Sequence, residues 1–326
     1  MGARYMADVF AVAARIKRAP GDVTLDAAKL EFIDPLGFAV LAALLCDVRA
    51  AGRQVRMNWL SVDVAGYMER MDFFKHCDVE GVEVDSGHRN DKRLSLVELT
   101  KLDSVNDVDR VASDLAHAMT GLLTKASPDA PMDRATGRNT FTNFSHPLEY
   151  ALSELLGNAM THARRHGHMH SSVWVAAQYY PGPAKVRIAV VDDGCGMLRS
   201  LQNHPALAEP SHFAAIEAAL EPRVSCNRNG DARADDSAYI EHGNQGVGLT
   251  TTSRIAMAAR GYLAVVSGNA KVSTRGERDS FRELPEGGFW NGVAITLECE
   301  RSKLPTIRIP ELLPPANADD LNIQFS

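Results

Sequence analysis

The sequence carries no surplus of positive charge: Lys and Arg number 35 against 41 Asp and Glu, a formal net charge of −6. A general nucleic-acid binder needs cations to displace the counterions condensed on a phosphate backbone, so that class is set aside. One local basic cluster, Arg164, Arg165, His166, His168 and His170, reads as a solvated helix end whose cations complement the carbonyl dipole. Cysteine is scarce. Cys46, Cys77, Cys195, Cys226 and Cys299 are odd in number, widely separated and form no C-x-x-C pair, which argues against a disulfide framework or a zinc site and for a reducing compartment. Long apolar runs are missing too. The most apolar stretch, residues 36–46, lies between Asp34 and Asp47 and falls short of the roughly 20 residues that span a bilayer. The opening residues show no apolar core of a secretion signal. A cytoplasmic protein with no membrane attachment is the expectation.

What the chain does have is alternating strand-like and helix-like segments, an α/β signature, over 326 residues that leave room for two domains. Met6, Val9, Phe10, Ala13 and Ile16 fall at helical spacing across residues 4–17. Strand-like runs at 23–25 and 30–33 lead into Asp34-Pro35-Leu36-Gly37, where aspartate suits a helix cap and proline its first turn. The helix they open, to about residue 51, is apolar nearly all round and reads as buried. Gly52 ends it; residues 54–59 read as a strand and 62–71 as a helix. The polar stretch 81–93 reads as a linker. Further on come a strand at 94–99, an amphipathic helix at 105–123, a loop at 126–140 and a helix at 146–165 with Pro147 in its first turn. Strands at 172–179 and 185–191 flank Pro181-Gly182-Pro183, a helix follows at 250–259, and a strand at 292–299 closes the set.

Three motifs carry chemistry. On the helix at 146–165, Glu154, Asn158 and His162 recur every four residues and so project from one face, where a carboxylate, an amide and an imidazole make better cleft lining than core. The strand at 185–191 runs into Asp192-Asp193-Gly194-Cys195-Gly196, a carboxylate at a strand mouth followed by glycines that let backbone approach a ligand closely. Third, Gly243-Asn244-Gln245-Gly246-Val247-Gly248-Leu249 precedes a helix, offering unpaired N–H groups and a positive dipole end to an anion.

In this order the three resemble the nucleotide-binding (Bergerat) fold shared by gyrase, Hsp90, histidine kinases and MutL, the GHKL superfamily, over about residues 94–300. Within it the Glu154, Asn158-Ala159, His162 pattern is closest to the anti-sigma-factor serine kinases. The resemblance implies ATP and Mg²⁺ as ligands, Asn158 as the metal residue and Glu154 as the general base. It assigns Asp192, Gly194 and Gly196 to adenine, and Gly243, Gly246, Val247, Gly248 and Leu249 to the phosphates. Residues 223–242 read as a lid over the nucleotide, with Arg228 or Arg233 as sources of positive charge. The closing strand departs from the family's Gly-Thr: it has Gly292-Val293, and Thr296 stands three residues on as an adenine-side substitute. His162 and Cys195 read as structural.

The N-terminal part, over residues 21–79, is similar to a STAS domain, the fold of bacterial anti-sigma-factor antagonists, through its Ile33-Asp34-x-x-Gly37 loop. Those antagonists carry a phosphate-accepting hydroxyl between aspartate and glycine; Pro35 and Leu36 have none, so the resemblance implies a docking or scaffold element. The expected architecture is thus an α/β chain: a small STAS-like α/β domain at 1–80, a linker at 81–93, a Bergerat-fold α/β sandwich with a mixed sheet and helices on one face at 94–304, and a tail at 305–326. The expected partners are ATP and a protein bound through the STAS-like part. An exposed N-terminal helix and the superfamily's habit of dimerising lead to the expectation of a homodimer. ATP hydrolysis, phosphorylation of a partner on Ser/Thr, and a non-enzymatic nucleotide-gated scaffold all stay open.

Overall fold

The computed structural model describes residues 6–84, 95–121, 132–134, 137–168, 170–225 and 246–314. Its elements run α1 (Met6–Arg18), β1 (Val23–Asp26), α2 (Pro35–Ala50), β2 (Val55–Asn58), α3 (Val62–Arg70), α4 (Phe73–His76), β3 (Leu96–Leu102), α5 (Val108–Thr120), β4 (Met132–Asp133), β5 (Arg138–Asn139) and α6 (Thr140–His162). They continue with β6 (Val173–Tyr180), β7 (Lys185–Asp192), α7 (Gly196–Leu201), α8 (His212–Leu220), α9 (Gly248–Ala258), β8 (Tyr262–Gly268), β9 (Ala270–Ser273), β10 (Trp290–Glu300) and α10 (Ile309–Leu312). The centre is a six-stranded sheet in the order β3-β6-β7-β10-β8-β9. Every adjacent pair in it is antiparallel, where a mixed sheet was expected. The tight turn after Tyr180 explains the β6–β7 step: Ala184 N–H bonds Pro181 C=O, too short a connection for a parallel crossover.

Strand alternation sends successive side chains to opposite faces, and both faces are covered. Val186, Ile188 and Val190 of β7 join a core built with α5, α6 and α9. Ala189 and Val191 join a second core with Phe10, Phe38, Leu44 and Leu45 of α1 and α2. The N-terminal segment therefore shares its core with the back of the sheet, the face opposite α5, α6 and α9. α2 earns that position by composition: Pro35 to Leu45 are all buried, Asp34 Oδ1 accepts from Gly37 N–H at 3.0 Å as the cap, and Pro35 fills the first turn.

Several expected boundaries shift. α6 begins at Thr140, with Asn139 Oδ1 capping Thr142 N–H at 2.8 Å, so Pro147 sits inside the helix instead of opening it. Proline removes an intrahelical bond, and that ordinary stop signal misplaces the start. Residues 30–33 form no strand; Ile33 is a buried loop residue leading to the α2 cap. β1 and β2 make a two-stranded parallel pair, extended only by a bridge from Arg56 to Glu80. The apolar face of α1, with Val9, Phe10, Ala13 and Ile16, is buried within the chain, so it does not supply the exposed helix on which the homodimer expectation leaned. Ile307 and Ile309, in the expected tail, are buried against the α9 side of the sheet. The linker beyond Val84, to residue 93, lies outside the described residues. Among the described residues no helix is long and apolar enough to cross a membrane.

Candidate functional site

One cleft opens between α6, the mouth of β7, α7 and the start of α9, and encloses about 940 Å³ including its open side. Glu154, Asn158 and His162 all line it, so the four-residue spacing on α6 does place them on one face. Asp192, Gly196, Gly246, Gly248 and Leu249 line it too, which brings the three motifs together.

Asp192 is 4 % exposed, and its Oδ1 accepts from Gly194 N–H at 3.0 Å and from Val293 N–H at 3.2 Å. Both bonds end on one oxygen, which leaves Oδ2 without a partner among the described residues. Burial pushes this carboxyl up to about 7; the Gly194 and Val293 N–H groups offset part of that, and neighbouring Asp193 adds to it. Asp193 points elsewhere, accepting from Ser172 N–H at 2.7 Å and Ser172 Oγ at 2.9 Å. Glycine is required around Asp192 by close approach. A Cβ at Gly194 would meet Ala163 O at 2.3 Å, and one at Gly292 would meet Asp192 O at 2.0 Å. Gly196 also sits at φ +73, a region that side chains disfavour.

The amide of Asn158 hydrogen-bonds no described residue and stays available to a ligand. Glu154 stands beside the first residue of α9. Burial raises its carboxyl above the usual value and the Tyr150 hydroxyl partly offsets this. Val247 gives α9 no side-chain cap, and Gly248 and Leu249 of its first turn line the cleft. Gly246, at φ +70, turns the chain into that helix, and its carbonyl accepts from Arg223 N–H at 2.7 Å.

Some expected residues play smaller parts. Burial pushes His162 down to about 3, with Arg165 adding to the effect, so at pH 7 it lines the cleft as a neutral imidazole. Burial also raises the Cys195 thiol, which lies 3.2 Å from Ser200 Oγ and 3.4 Å from His162 O. Thr296 is not brought to the cleft. It is fully buried on the opposite face of β10, while Val293 and Ile295 line the site, as strand alternation requires. Gly243, Arg228, Arg233 and His242, with most of the expected lid, lie outside the described residues.

Sequence reading also overlooked contributors. Tyr150 continues the four-residue stripe one turn before Glu154, and extending that period backwards finds it. Ser267 of β8 accepts from Met197 N–H at 3.0 Å and donates to Gly292 O at 2.9 Å, stapling the glycine turn to β10. Only strand register shows that contact; no motif announces it.

The donor set suits an adenine nucleotide with a hard cation: an unshared carboxylate oxygen for an exocyclic amine, a free amide oxygen for Mg²⁺, and an open helix N-terminus for phosphate. Neither the comparison with curated proteins nor that with solved structures gave a match. Residues 144–288 match the family model described as histidine kinase-, DNA gyrase B- and HSP90-like ATPase. That stretch holds Glu154, Asn158, Asp192 and the glycines at 194, 196, 246 and 248, and the match supports a domain of this ATPase type, and with it ATP binding, over those residues.

Proposed function

We propose that the protein binds ATP with Mg²⁺ in this cleft and hydrolyses it or phosphorylates a partner protein on Ser/Thr, in the manner of the anti-sigma-factor kinases. The observation that carries this reading is the convergence of polar groups, Asp192 Oδ2 and the Asn158 amide without partners among the described residues and the Glu154 carboxylate beside Tyr150, along one cleft that reaches the start of α9. Asp192 orients adenine by accepting its amino hydrogen. Asn158 supplies an oxygen to Mg²⁺, which when bound neutralises charge on the phosphates. Glu154, with its carboxyl raised by burial, accepts the proton of the attacking hydroxyl, either water or a side chain. The N-terminal segment is the proposed docking element for the protein partner, and it exposes Phe32, Trp59 and Val62.

A second reading, a nucleotide-gated scaffold, is favoured by one contact: Arg187 of β7 reaches Asp34 of the N-terminal segment at 3.2 Å, tying the strand that ends in Asp192 to that segment. Purified protein incubated with Mg²⁺ and γ-labelled ATP separates the cases. Free phosphate marks an ATPase and label on a second protein marks a kinase. Neither product, with ATP still bound, marks the scaffold.

A further inference from the structure

Glu154 is more than a base waiting beside the cleft. A methyl group at Gly248 would come within 1.8 Å of Glu154 Oε2 and 2.7 Å of its carboxyl carbon, so the carboxylate rests directly against the first residue of α9. That helix end has the unfilled N–H groups and partial positive charge that stabilise an anion. In α2, α3, α6 and α8 a side chain of the cap residue accepts from the first turn; at α9, among the described residues, the carboxylate lying against the first residue is Glu154, which arrives from another helix. The rest of the cleft offers little to oppose it. Its described lining contains no lysine or arginine, and its other acid, Asp192, stands at the mouth of β7.

We infer that Glu154 sets how the site discriminates by phosphate count, because its carboxylate holds the anion seat at the start of α9 that the outer phosphates of a nucleotide must take. This rests on the nucleotide reading of the cleft. The nucleoside end meets Asp192 and the glycine turn and does not feel Glu154. Each added phosphate brings negative charge closer to the carboxylate, which costs affinity unless a cation screens it or the side chain withdraws. A bare triphosphate pays this in full, and Mg²⁺ relieves it.

Calorimetric titration of the full chain with adenosine, ADP and ATP, with EDTA and then with Mg²⁺, tests this in wild type, Glu154→Gln and Glu154→Ala. Without metal, both variants are expected to bind ATP about tenfold more tightly than wild type, the scale of a charge at a helix N-terminus. The gain should be smaller for ADP, absent for adenosine and reduced by Mg²⁺. Unchanged ATP affinity in both variants, or equal tightening for adenosine and ATP, overturns the inference while leaving the nucleotide site intact. Failure of wild type and variants alike to bind adenosine and ATP removes the nucleotide reading itself, and this inference with it.

Discussion

The two faces of the central sheet treat polar groups in opposite ways, although the same strands supply both. On the cleft face, Asp192 keeps one carboxylate oxygen unshared and Asn158 keeps a free amide. On the back face the charged groups are saturated. Glu298, 2 % exposed, accepts from Lys185 Nζ at 2.7 Å, from Arg187 Nη2 at 2.6 Å and from Arg275 Nη2 at 3.2 Å. Arg187 also donates to Asp34 Oδ2 at 3.2 Å, and Asp34 is 1 % exposed. β7 carries Arg187 to one face and Asp192 to the other, five residues apart and so of opposite parity. A buried charge is costly until it is paired, so the paired set ties the N-terminal segment to the sheet, while Asp192 and Asn158 line the open cleft.

The largest effect is expected where that pairing is broken. Arg187→Ala strips a partner from both Asp34 and Glu298, and loss of one member of a buried ion pair costs about 3–5 kcal/mol. Urea unfolding at pH 7 should show a loss of that size, whereas Asn158→Ala should stay within about 0.5 kcal/mol of wild type. Equal losses for the two variants would erase the contrast between the faces.

Next comes turnover. Glu154→Ala should lower the rate of γ-phosphate release or transfer by about a hundredfold or more, the usual worth of a positioned base. Wild-type turnover in this variant would remove Glu154 from that role.

Asp192 and Glu298 should respond to pH with opposite sign. Burial raises the Asp192 carboxyl to about 7, so its contribution is fully present below pH 3.8 and is lost as pH rises through 7. For Glu298 burial acts upward, but the hydrogen bonds from Lys185 and Arg187 outweigh it and hold the carboxyl below its usual value. Its contribution is present above pH 4.5 and is lost as pH falls. Asp192→Asn keeps an oxygen for Gly194 and Val293 and removes the buried charge. It should therefore raise stability at pH 8 by up to about 4 kcal/mol, the cost of ionising a group moved from 3.8 to about 7. The same variant should lose ATP binding, because adenine's amine meets a donor. Unchanged affinity would take adenine away from Asp192.

Much of the cleft face was legible in the sequence because its chemistry is local. Glu154, Asn158 and His162 share a face through helix periodicity alone, and the glycines of the Asp192 turn mark close approach. The back face was not legible. Arg187, Glu298 and Asp34 lie far apart in the chain and carry no motif; only the register that pairs Glu298 with Arg187 brings them together. Asp34 was read correctly as a helix cap, yet nothing local foretold that its second oxygen would meet a strand 153 residues away. The cover that α1 and α2 give the back of the sheet was hidden for the same reason: α2 reads as buried, but not what buries it.

Thr296 offers the smallest and sharpest test of the comparison. It sits on the saturated face, fully buried between Ala189 and Ala264 in register, yet its hydroxyl has no hydrogen-bond partner. A buried hydroxyl with no partner costs about 1–3 kcal/mol in desolvation, and valine keeps the branched shape without that cost. Thr296→Val should raise stability by about 1 kcal/mol in urea unfolding and leave ATP affinity unchanged, since Val293 and Ile295 are the β10 side chains that meet the cleft. A loss of ATP affinity without a change in stability would mean that Thr296 reaches the nucleotide after all, and that the two faces of β10 are not as separate as their alternation makes them.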